Sequence, residues 1–253
     1  MPENFAFAGN LLLVSPHPDD IAYSCGGVVA AHLGEATATL LTVFGRSEWT
    51  VSPRLAAEGQ EAVSRVRAEE DRRYCDAHGI AYTLLDFPDA SLRGYDDEGE
   101  LTARVADDPL TDEVVDVLAE AVRAAAPDLV LAPAGMGDHI DHLMVHEALR
   151  RVDHEFSTLY YEDIPYSAHH EITGVEDTMR GARKLEPFHV FDISSAIDDK
   201  IAGMLVYESQ TDEQAIADMR HHNGRVAPAE AAFAERLWTA RPKAAGNVGA
   251  RLR

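Results

Sequence analysis

The sequence predicts an α/β fold: a Rossmann-like, mostly parallel sheet with core order 3-2-1-4-5 and helices on both faces. Three observations carry this expectation. Short apolar runs of strand length alternate with amphipathic stretches of helical length along the chain. Gly79 and Pro127 stand where two of the helical patterns stop. Two segments rich in His and Asp follow the first and fourth apolar runs directly. In such a sheet those two strands are neighbours, and ligands bind in the crevice at their carboxyl ends.

In chain order, residues 11–15 read as a buried strand and 26–33 as the helix after it. Residues 37–44, rich in Thr, Val and Leu, form the second strand. Residues 58–78 are a long, charged, amphipathic helix closed by Gly79, and 81–87 are the third strand. Thr111 is placed as the N-cap of a helix over 112–126, whose first turn is acidic where the helix dipole favours negative charge. Residues 128–133 are the fourth strand, 142–152 a helix, and 158–162 and 189–193 later strands. Residues 194–207 and 228–238 are read as closing helices. Residues 89–109 and 166–184 are polar and irregular, long enough to be substrate loops. Residues 1–240 are expected to form a single domain, and 241–253 a mobile tail.

Composition excludes several classes of function. The formal net charge of the 253-residue chain is -22, a field that opposes nucleic acid and anionic membrane surfaces. Its only lysines are Lys184, Lys200 and Lys243. A cationic product such as a freed amine is not repelled. Cys25 and Cys75 are too few for a disulfide framework and fit a reducing compartment. The first ten residues lack the pattern of a signal peptide, and the apolar run 11–14 is far too short to span a membrane. The expectation is a cytoplasmic protein with a small-molecule partner, no nucleic acid and no membrane; a homo-oligomer is compatible with all of this.

The chemistry sits in two clusters. The first strand runs into Pro16-His17-Pro18-Asp19-Asp20, then Cys25-Gly26-Gly27. The fourth runs into Gly135-Met136-Gly137-Asp138-His139-Ile140-Asp141-His142. His17 and Asp20, three residues apart at a strand-to-helix turn, can face one point. One of His139 and His142 completes a set of two histidines and a carboxylate. Three protein ligands leave an open position, the mark of a catalytic zinc site, although Fe²⁺ suits the same donors. Asp19, beside a ligand, is the natural general base for a water; the unused histidine, oriented by Asp141, is placed to protonate a leaving amine or hold an oxyanion.

A capped helix entry and a solvated loop would explain either cluster alone; together at the switch point they favour a site. Other histidines lack such support. His146 continues the face of His142, His78, His154, His169 and His170 suit surface or loop positions, and His221-His222-Asn223 has no evident partner. Neither a Gly-x-Gly-x-x-Gly turn after the first strand nor a Walker loop nor a Gly-x-Ser-x-Gly elbow is present. Cys25 lacks an arranged base and reads as a small buried residue. Two rival readings are a non-haem Fe(II) enzyme and a metal- or sugar-binding module without catalysis. The strand–helix alternation and the His17-x-x-Asp20 spacing oppose the first. Intact Asp19 and His139 oppose the second, since binding needs neither.

These motifs, with Gly26-Gly27 and His139-x-Asp141-His142, resemble the PIG-L / LmbE-like N-deacetylases. Arg67 with Glu70, Phe87-Pro88-Asp89, Lys200, Tyr207-x-Ser209-Gln210, Ala229-Glu230 and Phe233 are similar to outer positions of that family and fall in the same order. The resemblance implies a zinc-dependent amide hydrolase that releases acetate or another acyl group from an N-acyl amino sugar or conjugate. It implies His17, Asp20 and His142 as metal ligands, Asp19 as general base, and His139 oriented by Asp141 as acid or oxyanion partner. Arg67 and Asp89 would contact substrate hydroxyls. Two positions depart from the pattern: Ile21 stands where many members have Glu, and Gly137 where mycothiol-type members have Tyr. The second opposes a mycothiol-type substrate and makes Tyr161 the candidate to cover the oxyanion instead.

Overall fold

Successive side chains of a strand point to opposite faces, so a sheet covered on both sides must feed two cores. The first strand does so: Leu12 and Val14 enter one apolar cluster, Leu11 and Leu13 the other. The computed structural model describes residues 7–96 and 98–240. Its first half runs Asn10–Ser15 (β1), Asp20–His32 (α1), Thr37–Thr42 (β2), Pro53–Ala56 (α2), Gln60–His78 (α3), Ala81–Leu84 (β3), Gly99–Thr102 (α4), Thr111–Ala125 (α5) and Leu129–Pro133 (β4). There follow Ile140–Val152 (α6), Ser157–Tyr161 (β5), Ile172–Arg180 (α7), Leu185–Asp192 (β6), Ile197–Leu205 (α8), Glu213–Val226 (α9) and Ala234–Ala240 (β7).

The sheet order is β3-β2-β1-β4-β5-β7-β6. The first five strands pair in parallel, giving the expected 3-2-1-4-5 core, while β7 runs antiparallel to both β5 and β6. On one face α5 and α6 pack through Val114, Leu118, Val122, Met144 and Val145. On the other, α1, α3, α8 and α9 contribute Ile21, Val28, Tyr74, Met204 and Met219. Gly79 closes α3 in the left-handed conformation, φ 66°, as its position implies. No helix among the described residues is long and apolar enough to cross a membrane.

The C-terminal third departs from the sequence expectation. Residues 228–238 were expected to be helical, but the segment becomes the strand β7, and Ala229, Glu230 and Phe233 lie before it. Its charges mimic a polar helix face, yet Glu235 and Arg236 are both buried because each has partners on neighbouring elements, Lys200 of α8 for Glu235 and Glu162 at the end of β5 for Arg236. Glu162 accepts hydrogen bonds from Arg236 Nε at 2.6 Å, Trp238 Nε1 at 2.7 Å and His222 Nε2 at 2.6 Å. Asn223 Nδ2 donates to Ala234 O at 2.7 Å. The His222-Asn223 pair therefore ties α9 to β7 and β5. The stretch 166–184, expected to be irregular, contains α7, and β6 begins at Leu185 rather than 189. Thr111 is the first residue of α5, not its cap: its hydroxyl donates to Val105 O, and Asp108 Oδ1 instead accepts the Leu110 N–H at 2.8 Å. The expected tail, 241–253, lies outside the described residues.

Helix α1 leads away from the first His/Asp cluster and is kinked at Cys25, φ −139°. A kink strips backbone N–H groups of their intrahelical acceptors. Glu235 supplies the replacement, accepting Gly27 N–H at 3.0 Å and Val28 N–H at 2.6 Å. Lys200 completes the arrangement, its ammonium donating to Tyr23 O at 2.6 Å and to Glu235. Gly27 cannot be larger, since a Cβ there would meet Ile193 Cδ1 at 2.6 Å. Burial pushes the Cys25 thiol well above its ordinary value, which suits an unreactive core residue. Removing Glu235 leaves a buried ammonium and two orphaned N–H groups. Glu235→Ala is therefore expected to cost about 3–5 kcal/mol of stability, read as a lower midpoint in urea unfolding.

Candidate active site

Strands β1 and β4 pair in parallel register, Leu13 opposite Leu131. The segments that follow them therefore emerge side by side at one end of the sheet. Both turn sharply. Asp19 has φ 110°, a strained conformation for a residue with a side chain. In the second segment Gly135, Gly137 and Asp138 have φ of 74°, 81° and 62°. These turns gather three imidazoles: the ring centroids of His17, His139 and His142 lie 5.1–5.2 Å apart.

His17 Nδ1 stands 3.5 Å from Asp20 Oδ2, and His142 Nε2 stands 3.4 Å from Asp20 Oδ1. One donor atom from each of the three residues lies within 4.8 Å of the others. Tetrahedral zinc with nitrogen and oxygen ligands at about 2.0–2.1 Å has edges of roughly 3.3 Å, so the set fits such an ion. His17, His139 and Asp141 form a second group of the same size. There, however, the carboxylate is already committed, which favours His142 over His139 as the third ligand.

The outer nitrogen of each ligand imidazole meets a carboxylate. His17 Nε2 donates to Asp141 Oδ2 at 2.9 Å, and His142 Nδ1 donates to Asp163 Oδ1 at 2.7 Å. Such contacts fix tautomer and ring orientation and make the inner nitrogen a better donor to a cation. Asp141 is itself held by Ala90 N–H at 2.9 Å and by Arg93 Nη2 at 2.6 Å. Asp141 meets two of the imidazoles. Its carboxylate serves His17, and it orients His139 through its backbone N–H, which donates to His139 Nδ1 at 3.1 Å.

The cluster's charges follow from this packing. Burial lowers the proton affinity of His17, but the Asp141 and Asp20 hydrogen bonds outweigh it and raise the imidazole to about 10. Burial raises Asp20, yet His142 and His17 overcompensate and hold it at about 2. Asp19 behaves oppositely: burial and the Asp20 charge push it up to about 8, against the pull of Arg67 and His17. A carboxylate raised in this way binds a proton more readily than an ordinary one, the property a general base needs. Burial depresses His139, leaving it neutral. Because its Nδ1 accepts a hydrogen bond, the proton of the neutral ring sits on Nε2, which stands 3.5 Å from Glu100 Oε2.

A cleft of about 410 Å³ opens over this cluster and is lined by Asp19, Asp20, the three histidines and, on the far side, residues 210–218. Arg67 and Asp89 both line it, as expected. Arg67 Nη1 donates to Ser47 Oγ at 2.7 Å and lies 3.6 Å from Asp89 Oδ2; Asp89 also accepts from Ser91 Oγ at 2.6 Å. Tyr161 does not cover the oxyanion position. It is fully buried, and its hydroxyl donates to Val14 O at 2.9 Å. Tyr166 lines the cleft instead, packed over the space that Gly137 leaves: a Cβ on Gly137 would meet Tyr166 Cβ at 2.4 Å.

Other histidines find structural places. His146 Nδ1 donates to Pro133 O at 3.0 Å, and burial lowers it to about 4. His169 and His170 are exposed. Asp163, Arg93, Glu100 and Tyr166 were missed in the sequence. Asp163 had a readable signal, since it follows the strand beside β4; the other three sit in single turns of helix within long connections, where residue order says little about position.

The profile of the family described as PIG-L: GlcNAc-PI de-N-acetylase matches residues 12–152. The 2'-N-acetylparomamine deacetylase of Streptomyces fradiae is 47% identical over 246 residues, 96% of this chain and 86% of that protein. A 1D-myo-inositol 2-acetamido-2-deoxy-alpha-D-glucopyranoside deacetylase of Streptomyces griseus is 27% identical over 173 residues, 63% of this chain and 53% of that protein. Among solved structures, a deacetylase in the teicoplanin biosynthesis pathway superposes with a TM-score of 0.70 at 24% identity, covering 90% of this chain and 96% of that one.

Two outcomes test the geometry. Asp163→Asn should weaken divalent-metal binding by about 10- to 100-fold in a chelator competition, with the circular dichroism of the fold unchanged. Gly137→Ala displaces Tyr166 and should lower turnover on the order of 10²-fold while metal affinity stays near that of the parent.

Proposed function

Because this chain belongs to the PIG-L family of GlcNAc-PI de-N-acetylases, we propose that it hydrolyses the acetamide of an N-acetylated amino sugar within a larger glycoside. One observation carries the reading. His17, Asp20 and His142, grouped closely enough to hold a metal ion, share one cleft with the Asp19 carboxylate and the His139 imidazole. The relative at 47% identity makes 2'-N-acetylparomamine the first compound to try.

A divalent ion, zinc by donor type, held by His17, Asp20 and His142 would supply Lewis acidity at the acyl carbonyl and make water acidic enough to lose its proton near neutral pH. Asp19 takes that proton as the water oxygen bonds to the carbonyl carbon. His139 Nε2–H donates a hydrogen bond to the oxygen on which negative charge develops. Being neutral, His139 suits this role better than that of an acid. Asp19 then returns its proton to the departing nitrogen, the carbon–nitrogen bond breaks, and acetate and a free amine leave. Arg67 and Asp89 are assigned to the hydroxyls of the sugar ring, where guanidinium donors and carboxylate acceptors alternate. The buried free thiols of Cys25 and Cys75 support a reducing cytoplasm as the setting.

The reading is tested by acetate and primary-amine release from N-acetylated amino sugars. Metal-stripped protein should be inactive and regain activity with zinc. Asp19→Asn should keep its metal, measured by bound-metal analysis, and lose about 10²–10⁴-fold in kcat. Full activity without metal, or an unimpaired Asp19→Asn variant, would overturn it.

A further inference from the structure

The wall of the cleft opposite the metal ligands is built from the segment between α8 and α9 and the first turns of α9. Gln210, Asp212, Gln214, Ala215 and Asp218 line it, and Trp49 stands beside them at the rim, 50% exposed. Gln210 is the informative residue. It is only 3% exposed, yet its Oε1 has no hydrogen-bond partner among the described residues.

The orientation of that amide is fixed by a relay. The Glu70 carboxylate accepts Ser209 N–H at 2.8 Å and the Ser209 hydroxyl at 2.5 Å. With its proton committed, Ser209 Oγ can only accept, and it does so from Gln210 Nε2 at 2.8 Å. The Trp49 carbonyl accepts from the same Nε2 at 3.4 Å. Two acceptors therefore hold the NH₂ group, and the carbonyl is the end left over. A buried, unpaired acceptor is costly and calls for a donor from elsewhere.

Its neighbours offer acceptors too. Asp212 uses one oxygen to cap α9 through Ala215 N–H at 2.8 Å. Asp218 accepts from Gln214 Nε2 at 2.8 Å and His169 Nε2 at 3.2 Å. The Tyr23 hydroxyl has given its proton to Thr211 Oγ1 at 2.7 Å, since Thr211 donates onward to Met204 O. Among the described residues, Arg67 is the one Lys or Arg side chain lining the cleft, and its guanidinium is engaged by Asp89, Pro18 O and Ser47 Oγ, which also accepts the Trp49 N–H. A wall with two carboxylates, an unpaired amide oxygen and an indole face fits a ring that carries protonated amines.

We propose that Trp49, Gln210, Asp212 and Asp218 form a subsite for an ammonium-bearing ring attached to the N-acetyl sugar, so that the substrate class is a polyamine saccharide rather than a neutral glycoside. This rests on the amide-hydrolase reading above. The ring stacks on Trp49, one N–H bonds to Gln210 Oε1, and the carboxylates of Asp212 and Asp218 balance its charge.

The test compares two matched substrates with the zinc-loaded protein: the 2-acetamido-2-deoxyglucoside of a diaminocyclitol and the same glycoside of inositol. The wild type should favour the diamine by about tenfold or more in kcat/KM. That preference should shrink in Asp218→Asn and in Asp212→Asn, which keeps a capping side chain, chiefly through KM. Added salt should raise the KM of the diamine in the wild type and much less in the variants. Equal cleavage of both glycosides, or a preference unchanged by the variants, overturns the subsite and leaves the hydrolase reading standing. Calorimetry with the free diaminocyclitol separates the converse case. Binding that is lost in the Asp212→Asn/Asp218→Asn double variant supports the subsite even if neither glycoside is cleaved; no binding to the wild type overturns it.

Discussion

Two carboxylates, Asp141 and Asp163, grip the ligand imidazoles by their outer nitrogens, and the end of the sheet is organised around that grip. Three imidazoles and several carboxylates crowded into a buried space would otherwise rearrange or shed their charges. Asp141 is anchored by Arg93, whose guanidinium also bonds Asp108 and lies over the Phe44 ring at 5.3 Å. Asp163 is anchored by the Met136 N–H at 2.9 Å. The loops after β3, β4 and β5 are thus tied into one body through two acidic side chains. The strain at Asp19 is sustainable only because its surroundings are so fixed.

Where the chain obeys periodicity, its fold was legible. The parallel core followed from apolar runs at strand length, and the two clusters followed from the position of strands one and four. That His17, Asp19, Asp20, His139 and His142 share one cleft was readable because they sit within a few residues of strand ends; spacing alone left open which of His139 and His142 joins His17 and Asp20. The edge of the sheet was not. Glu235 and Arg236 look like a solvated helix face until Lys200 and Glu162 are seen across from them, and those partners lie dozens of residues away. Asp141 shows the same limit at finer scale: sequence proximity suggested that it orients His139, but not that its N–H makes that contact while its carboxylate meets His17.

Gly137 and Tyr166 illustrate how a position can be vacated and refilled. With no Cβ and φ of 81°, Gly137 admits Tyr166, whose ring lies 5.9 Å from His139 and 5.4 Å from His142. An aromatic wall is supplied by a loop after β5 rather than by the motif itself. Neither half of that exchange is visible alone.

The acceptor wall has a consequence for how such proteins diversify. His17, Asp19, Asp20, His139 and His142 all fall within the family-matched stretch 12–152, whereas Gln210, Asp212 and Asp218 lie well beyond it. On the proposed reading, Trp49 is the one subsite residue supplied by the earlier stretch, and the rest of partner choice falls to a later length of chain than the His and Asp cluster. Drift or recombination in the later stretch can exchange one aglycone for another while the earlier one keeps its register. On that reading, substitutions at Gln210, Asp212 and Asp218 change which ring is held and leave the His and Asp cluster in place.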